Sequence, residues 1–252
     1  MAIAQKMIKV ILPAYNEEKA LPLLLKRLNA SFLESNLNGE IIVVNDGSTD
    51  KTAESIKIYE GAVPVRLINQ IPNKGLAEAV KTGFLSVIPA CREEDIIVIM
   101  DADNTHPPDL ISRMAEFISG GYDVVIASRY QKGAKVVGLT LFRKALSLGA
   151  SVLFRSTIRI KGVRDYTCGF RAYKVSLLKT AMEYYKQDFI KQRGFACMAE
   201  ILLRLKRFNP AMQEVPLILR YDYKEGASKI RVGKTIKETF KMLFNYLVKK
   251  TY

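Results

Sequence analysis

A strand with one face in water alternates apolar and polar residues, whereas a strand covered on both faces has no need to. Four stretches of this chain are of the second kind: IKVIL (8–12), EIIVV (40–44), IIVIM (96–100) and DVVIAS (123–128). A fifth strand is read at VRLIN (65–69). Between them lie segments of helical period. One runs from about Glu17 to Glu34 behind Asn16 as a cap, and another follows Asp50 as a cap. A third, NKGLAEAVKTGFLSVI, is opened by Gly75, and a fourth is started by Pro107 and Pro108. Apolar strands that alternate with helices predict a mostly parallel sheet with helices on both faces, an α/β fold.

After Arg129 the pattern loosens. A basic, apolar stretch from Leu139 to Ile160 leads to DYTCGFRAYK, read as a turn and a strand. Helices follow around Ser176–Lys186 and Phe195–Lys206, then a strand EVPLIL (214–219). The last element is a helix near Gly233–Lys249 with Ile236, Phe240, Leu243, Phe244 and Leu247 on one face. Lys234, Lys237, Lys241 and Lys249 are spread over the rest of it, which makes it basic and amphipathic. No linker divides the chain, so one catalytic domain is expected over 1–230, with the helix of 231–252 packed on it or on a membrane surface.

Several functional classes are excluded by what is scarce. His106 is the only histidine, which rules out a His-rich zinc site and disfavours a hydrolase triad. Cys91, Cys168 and Cys197 are scattered and odd in number, so buried thiols are expected. The start lacks a secretory signal, and no apolar run approaches the roughly 18 residues that cross a bilayer. A cytoplasmic protein is therefore expected. The net charge of +14 favours an anionic partner. From Val124 to Arg164 there is no acid, while Arg129, Lys132, Lys135, Arg143, Lys144, Arg155, Arg159, Lys161 and Arg164 fall inside. No nucleic-acid-binding motif accompanies this charge, so nucleic acid is not the expected partner.

In an open α/β sheet, ligands bind beyond the carboxyl ends of the strands. Three of those ends carry acids: PAYNEE (13–18), NDGSTD (45–50) and DADNTH (101–106). Neither a dinucleotide fingerprint nor a P-loop is present at any of them. Asp101 and Asp103 stand two residues apart and can share a face. Two acids so close repel each other unless a cation lies between them, and a divalent metal suits that place.

Eight motifs then occur in order: PAYNEE, VVNDGSTD, NKG, DADNTHPP, ASRY, DYTCGFRAYK, EVPL and GASK. Over about Val10 to Lys229 the chain resembles the family 2 glycosyltransferases, and more narrowly the dolichol-phosphate (polyprenyl-phosphate) mannosyltransferases. The resemblance implies a GT-A fold, a nucleotide-sugar donor, and Mg²⁺ or Mn²⁺ held by Asp103 and shared by Asp101. It implies a donor-nucleotide set of Pro13, Tyr15, Glu17, Val44, Asp46, Lys74, Asp101, Ala102, Asp103, Arg220 and Lys229. Asp46 can accept a hydrogen bond from the base, or close an Asx-turn in NDGS. Arg129, Lys224, Ser228 and Lys229 are the expected ligands of an acceptor phosphate, and Asp103, Arg129 and Asp165 the catalytic set. Asp165 either orients acceptor or metal, or serves a turn.

The implied reaction is metal-dependent and inverting. A hexose, mannose from GDP-mannose in the first reading, passes to dolichyl or polyprenyl phosphate. A phosphate monoester with a second pKa of about 6 is largely dianionic at neutral pH, so its oxygen attacks C1 without a strong base. A lipid acceptor explains the basic stretch and the last helix as contacts with the cytoplasmic face of a membrane, directly or beside a separate membrane subunit. Three positions depart from the family pattern. Asn45 replaces an acid, Thr105 a glutamine near the metal, and Tyr223 an arginine before the GASK loop. A UDP-sugar donor, or a soluble or protein acceptor, is the alternative that these departures keep open.

Overall fold

The computed structural model describes residues 6–224 and 232–249. Strands β1 (Ile8–Ala14), β2 (Gly39–Asp46), β3 (Val65–Gln70), β4 (Ile96–Ile99) and β5 (Val124–Ser128) form where the apolar runs predict them. With β7 (Arg171–Lys174) and β8 (Met212–Pro216) they make a seven-stranded sheet in the order β3-β2-β1-β4-β7-β5-β8. Parallel registers pair Val10 with Ile41 and Val98, and Ile126 with Glu214. β7 alone runs antiparallel, between β4 and β5, with Ala172 opposite both Val98 and Val125. Helices flank the sheet, in the GT-A arrangement that the resemblance implies.

The helices are α1 (Ala20–Glu34), α2 (Thr52–Lys57), α3 (Leu76–Val87), α4 (Leu110–Ser119), α5 (Leu141–Thr157), α6 (Val175–Tyr185), α7 (Ala196–Lys206) and α8 (Val232–Lys249). α3 packs on β1 and β2 at Gly83, where an added Cβ would lie 2.6 Å from Ile11 Cγ2. α1 starts three residues later than its period suggests. The amides of Asn16, Glu17 and Glu18 are taken by Ser48, Thr52 and Asp50 side chains, which hold that turn out of helix. Asn16 does not cap α1; its side chain accepts from the Thr49 amide at 2.8 Å. Asp50 does serve the next helix, accepting from the Thr52 amide at 3.0 Å.

EVPLIL divides in two. β8 ends at Pro216, and β9 (Ile218–Arg220) pairs instead with β6 (Lys135–Val137) in a small parallel sheet. Proline has no N–H to continue a ladder, and Leu217 bridges the two sheets through Ser128 O and Lys135 N. The basic stretch 139–160 folds largely as α5, which buries Ser151 and Phe154 but exposes Leu141, Leu148 and Val152. α8 packs on α7 and buries Met242 and Leu243, while Phe240, Phe244, Leu247 and Val248 face solvent. The predicted face of α8 is thus split between core and surface. The side chains of Lys234, Ile236 and Lys249 lie outside the described part. No helix among the described residues is long and apolar enough to cross a membrane.

Candidate active site

The carboxyl ends of β1, β2 and β4 open on a cavity of about 1280 Å³. At β2, Asp46 is buried and its carboxylate is saturated. Oδ1 accepts from Gln70 Nε2 at 2.5 Å and from the Lys74 amide at 2.8 Å; Oδ2 accepts from the Gly75 amide at 2.7 Å. Gly75 has φ +90°, a conformation open to glycine, and this lets the NKG turn present both amides to one acid. Asp46 therefore ties the start of α3 to the sheet edge while lining the cavity beside Pro13, Tyr15 and Glu17.

At the end of β4, Asp101 and Ala102 line the cavity with Asp103. The Asp101 amide donates to Nδ1 of the buried His106, whose ring stacks on Phe170 at 5.2 Å. The single histidine thus orders the turn after β4 while lining the cavity. Asp103 Oδ1 accepts from the Thr105 hydroxyl at 2.7 Å and its amide at 3.2 Å. Asp103 Oδ2 accepts from Lys224 Nζ in a close ion pair. Asn104 between them has φ +62°, which asparagine tolerates. It is clamped by Arg27, whose Nη1 donates to its side-chain oxygen at 2.6 Å. Burial pushes the Asp101 carboxyl above the ordinary range, and His106 opposes this while Asp103 adds to it. Burial pushes Asp103 the same way, but Lys224, His106 and Thr105 together outweigh it and hold this carboxyl below that range. Lys224 is raised in turn: burial disfavours its charge, while Asp103, Glu17 and Asp101 favour it.

At the end of β5, Arg129 lines the cavity and Asp165 lies behind it, fully buried. Nε and Nη2 of Arg129 donate to the two Asp165 oxygens at 2.8 and 2.7 Å, and Nη2 also reaches Thr167 Oγ1 at 2.6 Å. Asp165 further accepts from the Arg129, Thr167 and Cys168 amides. Burial raises the Asp165 carboxyl, but Arg129 beside it brings the net shift below the ordinary range. Burial pushes the neighbouring Cys168 thiol up to about 12, which makes it unreactive. Asp165 does not face the cavity, so it is a brace for Arg129 and not a group that meets substrate.

The rest of the expected set is unevenly distributed. Val44 does not line the cavity; it is wholly buried in the middle of the sheet. Lys74 contributes an amide to Asp46, while its side chain is exposed. Arg220 is turned away, paired with Asp222 at 2.7 Å and lying over the Tyr223 ring at 4.1 Å. Gly226, Ala227, Ser228 and Lys229 lie outside the described residues. The lining groups not anticipated as site residues include Arg143 and Ser147 on α5; Ser147 Oγ is 2.6 Å from Tyr130 Oη. The cavity lining also takes in apolar and small residues of α5, among them Leu146, Gly149, Ala150 and Leu153, and Phe240 of α8. The small residues Ala145 and Gly149, four apart on one face of α5, are the sequence signal that could have revealed this wall.

A family model described as glycosyl transferase family 2 matches residues 9–181. The chain is 35% identical over 241 residues to the dolichol-phosphate mannosyltransferase of Pyrococcus furiosus, covering 95% of this chain and 63% of that protein. It is 31% identical over 224 residues to the undecaprenyl-phosphate mannosyltransferase of Micrococcus luteus, covering 88% and 87% of the two. Among solved structures, the fold is similar to glucosyl-3-phosphoglycerate synthase of Mycobacterium tuberculosis, with a TM-score of 0.62 at 20% identity. That match covers 97% of this chain and 79% of the synthase, which was solved with Mn²⁺, UDP-glucose and phosphoglyceric acid.

Proposed function

Because the chain belongs to glycosyl transferase family 2 and is a glycosyltransferase, we propose that it moves mannose from GDP-mannose to a polyprenyl phosphate. The observation that carries this reading is the lining of the cavity. One cavity is lined both by an acid-bearing strand edge, suited to a nucleotide sugar, and by apolar residues of α5 and α8, suited to a prenyl chain. Both mannosyltransferase relatives are named for a polyprenyl-phosphate acceptor, which supports the same reading.

The residues divide the work along that cavity. Pro13, Tyr15, Glu17 and Asp46 flank the nucleoside end. Asp101 and Asp103 offer hard carboxylate oxygens, the donors that Mg²⁺ and Mn²⁺ take together with substrate phosphates. The cluster holds the Lys224 ammonium, so its chemistry suits a cation in that place. Bound there, a divalent ion supplies Lewis-acid stabilisation of the departing diphosphate. Arg129, locked by Asp165 and Thr167, keeps Nη1 for the acceptor phosphate, with Arg143 on the same wall. The phosphate dianion attacks C1 and inverts it, and no histidine is required.

The exposed apolar residues of α5 and α8, beside basic Arg143, Lys144, Lys237 and Lys241, suit a peripheral position on an anionic membrane face. The cytoplasmic face, with or without a separate membrane subunit, is the proposed place of work. The test is a panel of nucleotide sugars with polyprenyl phosphate and Mg²⁺ or Mn²⁺, scored for lipid-linked sugar. Label from GDP-mannose alone is expected, and none from Asp103→Ala with its fold intact. Label from a different donor defeats the mannose assignment; no lipid label from any donor defeats the acceptor.

A further inference from the structure

Asp103 spends both carboxylate oxygens inside the chain. Thr105 takes Oδ1 with two donors, and Lys224 takes Oδ2 from the far side of the sequence. Lys224 is not a stray surface lysine. Its side chain is 16% exposed, and Glu17 and Asp101 add their negative charge to that of Asp103 around it. The backbone that carries it is anchored on two sides. Arg220 N donates to Thr105 O at 3.0 Å, and the Tyr223 ring lies between Arg220 and Arg27, 4.1 and 5.7 Å from the two guanidinium carbons. Arg27 in turn grips Asn104. The 220–224 segment is thus built to deliver an ammonium to the carboxylate pair at the end of β4.

An ammonium and a divalent ion cannot both sit at contact distance from one carboxylate oxygen without strong mutual repulsion. We propose that Lys224 is a built-in competitor for the divalent cation, and that the cation detaches it from Asp103. The released ammonium, on a four-carbon stem, then stands within the same cavity where phosphates bind. Lys224 would act twice: as a counter-ion that keeps the acids paired, and as a phosphate ligand once displaced. This rests on the reading of Asp103 as a metal ligand given above.

The test is Mn²⁺ binding to the full chain without nucleotide, followed by electron paramagnetic resonance of the free ion. Lys224→Met is expected to bind Mn²⁺ about tenfold or more tightly than the wild type, since a like charge is removed from the site. Asp103→Asn is expected to lose Mn²⁺ binding. In the wild type, amine labelling of Lys224 read by mass spectrometry is expected to rise when Mg²⁺ is added. Equal or weaker binding by folded Lys224→Met, or labelling that ignores Mg²⁺, overturns the competition and leaves the metal reading standing. Absence of Mn²⁺ binding in both wild type and Lys224→Met overturns both.

Discussion

Asp165 stands beside a family motif, and the sequence leaves two roles open for it, orienting acceptor or metal, or serving a turn. Its environment makes it a brace: no exposed surface, both oxygens on Arg129, and three amides behind them. Thirty-six positions separate the two partners, and nothing in a linear reading pairs them. The position of Asp101, Asp103 and Arg129 on one cavity was legible because strand ends could be located; the partner of each was not, because partners come from elsewhere in the chain. Removing one member of such a buried pair strands the other, at a cost of about 3 kcal/mol. Asp165→Asn is therefore expected to lose about that much stability to urea at pH 7. The Asp165 carboxyl is depressed in the folded state, so its stabilisation is complete above the ordinary aspartate range, near pH 4. It disappears as pH falls through the folded-state value. The stability gap between wild type and variant should accordingly narrow below about pH 4. A gap that stays constant down to pH 2 would contradict the assignment.

Elements were legible in proportion to how plainly their burial is written. β1, β2, β4 and β5 lie deep in the core, and uninterrupted apolar runs announce that. The division of EVPLIL was hidden because both halves are apolar, and only Pro216 marks the exit. α5 was read as a basic apolar stretch and not a helix, since its exposed leucines and its basic residues blur the period. Gly83 illustrates a contact that no periodicity shows. Alanine is better than glycine in a helix by about 1 kcal/mol. Here its methyl would meet Ile11 Cγ2 at 2.6 Å, on a stiff β-branched side chain of the central sheet. Overpacking of this kind costs about 1–3 kcal/mol, so Gly83→Ala is expected to be net destabilising by about 1 kcal/mol in urea unfolding. A gain in stability would show that α3 has room to move away from β1.

At the scale of the whole molecule, the proposed membrane position rests on where unburied apolar residues and basic charge coincide. Phe244 and Leu247 are 60% and 56% exposed. The double variant Phe244→Ser with Leu247→Ser should keep its folding stability within about 0.5 kcal/mol, as exposed sites do. Sedimentation with anionic vesicles should fall by at least about tenfold, given the apolar area withdrawn from the bilayer. Binding by the wild type should also weaken as salt is raised, because the basic residues act within a Debye length. Vesicle binding that ignores both changes would remove α8 from the proposed contact.

The antiparallel β7 has a consequence for how the protein comes into being on the ribosome. β4 and β5 are separated in space by a strand that is made some forty residues after β5. Until Arg171–Lys174 has emerged, the first three strands and β4 can assemble, but β5 has no neighbour to join them. Arg129 waits 36 residues for Asp165. The nascent chain thus carries four strands whose open flank is joined to β5 by a late insertion, which brings Arg129 to the same edge as Asp101 and Asp103, and β8 is added last. Synthesis interrupted before that point leaves an unfinished edge, which makes the interval between β5 and β7 the one in which a chaperone has most to protect.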